Sequence, residues 1–172
     1  MSFELIERGS ADFSACGKYR YRLERRLNDR AASGAITILY VGVNPSTAGA
    51  TEEDQTTRKW AVFATKAGAW RYVTVNVFGA ISTNVRDLRA MVDPVGEHNA
   101  LHVRDAIGES DIIVPCWGLR TKLPRELRPR LDEMMQTLRA SGKPLRIFGL
   151  TGTGDPMHPL MLPYSTPFKE WR

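Results

Sequence analysis

Residues 36–43 read Ile-Thr-Ile-Leu-Tyr-Val-Gly-Val, an uncharged run rich in β-branched residues. A strand with one wet face alternates apolar with polar side chains. This run does not alternate, so both of its faces must be covered, as in the centre of a parallel sheet flanked by helices. Three more runs have strand character: Trp70 to Phe78, Asp111 to Cys116 and Leu145 to Leu150. Pro115 has no N–H to donate and must lie near the end of its strand or at an unpaired position.

Helical spacing fills the gaps between these strands. Trp60, Phe63, Ala64 and Ala67 share one face of a segment from Thr56 to Ala67, and Gly68 follows as a C-cap. A short helix is expected from Asn84 to Met91. Another is expected from Glu97 to Ile107, with Leu101, Ala106 and Ile107 facing inward. From Pro124 to Ala140, the residues Leu127, Leu131, Met134, Met135 and Leu138 form one apolar stripe. Alternating strands and helices predict a three-layer α/β/α sandwich around a mostly parallel four-stranded sheet. Lys18 to Leu27 adds an N-terminal edge strand or hairpin arm, because Tyr19, Tyr21 and Leu23 alternate with Arg20 and Arg22.

The chain has 172 residues, 42% of them hydrophobic, which suits one domain over 1–172 and is too apolar for a disordered chain. No stretch approaches the roughly 20 apolar residues of a membrane span. The N-terminus, MSFELIERGS, is unlike a signal peptide. Cys16 and Cys116 lie far apart and form no CxxC pair, so a reducing cytoplasm is the expected location. The net charge of +5 suits a polyanionic partner. Lys18, Arg20, Arg22, Arg25, Arg26 and Arg30 make one basic run; Arg120, Lys122, Arg125, Arg128 and Arg130 make another. Each run taken singly reads as a solvated face.

Ligands of open parallel sheets bind at the carboxyl ends of the strands. Those ends carry Asn44-Pro45-Ser46-Thr47, then Asn76 with Phe78, then Trp117-Gly118, then a loop from Thr151 to Pro159 that contains His158. Two amides, an imidazole, hydroxyls and aromatics can hold a flat, hydrogen-bonding ligand. An amide presents a donor and an acceptor, as the edge of a nucleobase does, and Phe78 or Trp117 offers a stacking face. Asn76 within a Val-rich strand is either a structural bonding node or a site residue. Asp54 either caps the following helix or serves as a carboxylate base, and Arg58 either pairs with it or meets a phosphate. His98 and His102 have metal-compatible spacing but no third ligand nearby, so no metal is expected. Gly149 to Gly154 lacks the Lys-Ser/Thr of a phosphate loop.

These residues carry two resemblances. Asn44 to Ala48, Asp54 with Thr56 and Arg58, Val75 to Phe78, Trp117-Gly118 and Gly154 to Leu160 resemble the bacterial and phage family catalogued as domain of unknown function 1643. That resemblance runs from about Tyr19 to Trp171 and implies no activity by itself. Gly42-Val43-Asn44-Pro45, Asn76, Trp117-Gly118 and His158-Pro159 more distantly resemble the motifs of the uracil-DNA glycosylase superfamily.

The second resemblance implies a glycosylase-like fold with specific roles and no cofactor. Asn44 would position the attacking water; Asp54 is the candidate catalytic carboxylate from its own place before the helix, since the first motif lacks the Asp-containing version of the strongest uracil enzymes. Asn76 would read a flipped base, with Ser46, Phe78 and Trp117 around it. His158 would stabilise charge on the departing base. Leu160, Met161 or Leu162 would wedge into the duplex, and Arg20, Arg58 and Arg125 would hold phosphates. The sequence departs from that pattern at Ser46, where glycosylases usually have Gly, and in reading His-Pro-Leu-Met-Leu after the last strand. The expectation is a glycosylase-like protein acting on a base in DNA. The alternatives are a non-catalytic nucleic-acid-binding module or an enzyme acting on a small nucleotide.

Overall fold

The computed structural model describes residues 9–28, 34–46 and 54–172. Arg30, Thr47 and Ala48 lie outside the described residues. Five strands form one sheet: β1 (Gly9–Phe13), β2 (Arg20–Arg26), β3 (Ile36–Gly42), β4 (Ala69–Asn76) and β5 (Ile112–Pro115). Their order is β1-β2-β4-β3-β5. The apolar run is central, and β3 pairs in parallel with β4 on one side and β5 on the other. The hairpin β1–β2 joins antiparallel to β4.

Helices cover both faces. Helix α1 (Gln55–Lys66) sends Trp60, Ala61, Phe63 and Ala64 against Ile38, Tyr40, Tyr72 and Val114. On the opposite face, α2 (Asn99–Glu109) contributes Val103 and Ala106, and α3 (Pro129–Ala140) contributes Leu131 and Leu138. They pack on Leu39, Val41, Val73 and Val75. The alternation Ile38/Leu39/Tyr40/Val41 thus supplies both cores, which is why the run contains no charge.

The sheet departs from the expected four parallel strands: it is five-stranded and mixed. Residues 145–150 contribute a single parallel bridge, Ile113 to Leu145, and then a two-residue strand β6 (Arg146–Ile147). That strand pairs with β7 (Lys169–Glu170) near the end of the chain. Proline explains the short ladder. The Ile113 N–H donates outward to the Pro144 carbonyl at 3.0 Å. Two residues on, where the next outward donor is due, Pro115 has no N–H.

Two other expectations change. Leu101 was expected to face inward and is 47% exposed, and Val103 holds the inner position instead. The early basic run is only in part a solvated face: Lys18 and Arg26 are exposed. Strand β1 closes the outer side of β2, and both Arg20 and Arg25 are buried. Arg22 pairs with Glu24 and Glu109, and Arg71 joins the same two carboxylates. Among the described residues no helix is long and apolar enough to cross a membrane.

Candidate functional site

The parallel register sets Gly42 beside Asn76 at the carboxyl ends of β3 and β4. Around them lies a cavity of about 110 Å³. Asn44, Ser46, Asp54, Asn76 and His158 all line it, so four separated segments meet there. Arg20, Thr57 and Trp60 also line it.

Asn76 is 3% exposed. Its backbone carbonyl accepts from Asn99 Nδ2 at 3.0 Å, but its side-chain amide makes no hydrogen bond with another described residue. The amide's N and O are not sealed from solvent, so they open on the cavity and can take a partner there. Asn99 also donates to Val77 O at 3.3 Å, so one buried side chain fixes the end of the strand that presents Asn76.

Asn44 divides its two ends between tasks. Its Nδ2 donates to Ser82 O at 2.8 Å and to Pro45 O at 3.0 Å, tying the first loop to the segment after β4. Its Oδ1 accepts nothing from the described residues and remains available as an acceptor.

Asp54 is the N-cap of α1 and part of a reciprocal capping box. Thr57 N–H donates to Asp54 Oδ1 at 2.8 Å, and Asp54 N–H donates to Thr57 Oγ1 at 2.9 Å. Ser46 Oγ donates to Asp54 Oδ2 at 2.8 Å. Burial pulls the Asp54 pKa upward, but the Thr57 and Ser46 hydrogen bonds together outweigh it and hold the carboxyl below its ordinary value. Asp54 is therefore both a cap and a fixed negative charge.

His158 sits where the last loop returns. Gly118 N–H donates to Pro156 O at 2.9 Å. Gly118 has φ +78°, and a Cβ on it would come 3.3 Å from His158 Cβ. The loop is pinned from below by Asp155, which is 1% exposed. Asp155 accepts from Arg120 Nε at 2.8 Å, from Arg120 N–H at 3.0 Å and from Thr153 Oγ1 at 2.6 Å. Leu160 N–H donates to His158 Nδ1 at 3.2 Å, so the neutral ring carries its proton on Nε2. Burial, with help from Lys122, pushes the His158 pKa down to about 4, against an upward pull from Asp54. At neutral pH it is an uncharged donor.

The remaining predicted residues lie elsewhere. Phe78 is wholly buried in the core beneath α2 and α3, and Trp117 is buried in that same cluster, so neither lines the cavity. Trp60, read from the sequence as a core residue only, is the aromatic in the wall. Arg58 is exposed on α1, and Arg125 is exposed in a 3-10 turn. Leu160 is half-buried and Met161 is 88% exposed, both in the 3-10 turn Pro159–Met161 directly after His158. Arg20 was expected on the surface, yet it is 3% exposed and lines the cavity. Its placement follows from antiparallel geometry: the amino end of β2 meets the carboxyl end of β4, and Arg20 N–H donates to Gly79 O at 2.9 Å.

A larger cavity of about 430 Å³ lies between α2 and α3, lined by Val103, Ile107 and Met134 among others. Neither Asn44, Asp54, Asn76 nor His158 reaches it. Size alone is not chemistry, and the smaller cavity holds the convergent polar groups.

Neither a curated protein nor a solved structure matches the chain. The family described as "Protein of unknown function (DUF1643)" matches residues 20–160, which hold every described polar residue of the cavity wall from Arg20 to His158, and the chain belongs to that family.

Proposed function

We propose that the chain is a glycosylase-like protein that recognises a nucleobase, in DNA, and hydrolyses its N-glycosidic bond. One observation carries the reading. The Asn76 amide opens on the cavity and makes no side-chain hydrogen bond to the described residues. An amide of that kind is matched by a ligand edge bearing both a donor and an acceptor. The sheet order supports a glycosylase-like fold, since β4, β3, β5 and the Leu145 bridge lie side by side and run parallel.

In this reading Asn44 Oδ1 accepts from the water that attacks the sugar, and His158 Nε2–H donates to the departing base. Met161, exposed beside His158, is the apolar residue available to fill the space a flipped base leaves. Lys122 and Arg125 are exposed, make no ion pair with another described residue, and are two of the cations available to phosphates.

The test is incubation with duplexes bearing modified pyrimidines, followed by cleavage at abasic sites. Strand breaks that disappear in Asn76→Ala support the proposal. The absence of breaks on every base, with wild type and Asn44→Ala alike, removes it. A second reading, base binding without hydrolysis, draws on Asn44, whose Nδ2 is already committed to Ser82 and Pro45. It predicts salt-dependent DNA binding that Asn76→Ala weakens, with no base release.

A further inference from the structure

Resting on the glycosylase reading, we infer that Arg20 is a catalytic residue of the cavity, a buried cation that stabilises the negative charge of the departing base. A guanidinium that held phosphates would stand in solvent. Arg20 instead lines the same small cavity as Asn76, Asn44 and His158, with almost none of its surface exposed. Burial disfavours its charged form and lowers its pKa to about 10, while Asp54 pulls the other way. It remains a cation at neutral pH.

His158 alone cannot neutralise a leaving anion, because its own ring is held neutral there. The reaction also separates charge. The C1′–N bond breaks with its electron pair going to the base, and positive charge is left on the sugar. Water oxygen then bonds to C1′ and gives its proton to Asp54 or to solvent, while the anionic base takes a proton from solvent. Among the described residues of the wall, the cation Arg20 and the carboxylate Asp54 suit the two partners of that separation. Arg20 answers the base and Asp54 the sugar. In a site that excludes water, a fixed charge acts more strongly than the same charge at the surface.

The experiment compares single-turnover release of 5-fluorouracil, uracil and 5-hydroxymethyluracil from duplex DNA by wild type, Arg20→Lys and Arg20→Gln. 5-Fluorouracil leaves most easily, so it needs the cation least. The expected result is a loss of about 100-fold or more for the two poorer leaving groups in Arg20→Gln, of the size seen when an oxyanion-stabilising donor is removed. For 5-fluorouracil the expected loss is clearly smaller, and Arg20→Lys recovers part of each rate. Equal loss on all three bases in a variant whose thermal melt matches wild type overturns the inference and leaves the glycosylase reading standing. If Arg20→Gln does not fold, Arg20→Lys must still show the unequal loss, and equal loss in it is equally fatal. Wild type that releases none of the three overturns both.

Discussion

Gly42 and Asn76 are neighbours across the parallel β3–β4 ladder, and a Cβ built on Gly42 would stand 2.6 Å from Asn76 Oδ1. The glycine is there for the amide and not for its own backbone, since its φ lies outside the left-handed region. The methyl of Gly42→Ala would therefore meet the tip of a movable side chain, and the fold can yield at little cost. We expect a melting temperature within a few degrees of wild type, with base binding or release weakened about 5- to 150-fold by the displaced amide. A variant that melts normally and keeps full activity would show that Asn76 does not read the ligand.

Asp54 allows cap and charge to be separated. Asparagine is as good an N-cap as aspartate and can accept from Thr57 N–H. Asp54→Asn should therefore keep the stability of α1 to within about 0.3 kcal/mol, measured by urea unfolding. It should also remove the negative charge that acts on Arg20 and His158. Asp54→Ala should instead cost about 1 kcal/mol through loss of the cap. If the two variants unfold alike, the capping box is not what holds Asp54.

His158 makes stability depend on pH in a definite direction. Its folded pKa, about 4, lies below the ordinary histidine value. As pH falls below about 6.5, the unfolded chain takes up a proton that the folded chain refuses. This contribution is fully present above that pH, fades as pH falls, and levels off below about 4. By pH 4.5 the wild type should have lost roughly 2 kcal/mol from this residue alone. His158→Gln should lack that component, so the difference between the two proteins should narrow on acidification. A constant gap from pH 7.5 to 4.5 in urea titrations would mean that the imidazole is not held neutral.

What the sequence revealed of this molecule follows from how local each signal is. The β3 run announces its burial because every side chain is apolar, and α1 announces its face and its cap within one turn of chain. The cavity was legible through strand ends, because topology delivers them to one edge. Arg20 was not. Its burial depends on β1, a strand with a weak pattern, closing β2 from outside, and on an antiparallel partner reversing which end of β2 meets the site. Asn99 and Asp155 were also missed, since each acts on a segment distant in the chain: Asn99 on the end of β4, Asp155 on Arg120. A polar residue in a helix or loop carries no local mark of that role. Phe78 and Trp117 were misread because an aromatic near a strand end has the same local pattern whether it turns toward the cavity or the core.

Asp155 and Arg120 form the least replaceable contact near the cavity. The carboxylate is almost wholly buried and is satisfied by three donors, two of them from Arg120. Arg120 also reaches Asp132 Oδ1 at 2.9 Å, which ties α3 to the same node. Asp155→Asn keeps the shape, removes the charge and turns an amide N–H toward at least one donor. Arg120, a third exposed, keeps Asp132 but faces a neutral group on its buried side. Turning an amide N–H toward a donor at this buried carboxyl position costs about 1–3 kcal/mol, and we expect a melting temperature lower by a few degrees. The damage should also reach His158, three residues along the loop. Amide exchange should quicken from Thr151 to Leu160 before it does in β3 or β4. If Asp155→Asn melts as wild type and leaves that loop protected, Asp155 does not anchor the loop, and the placement of His158 must rest on Gly118 and Pro156 alone.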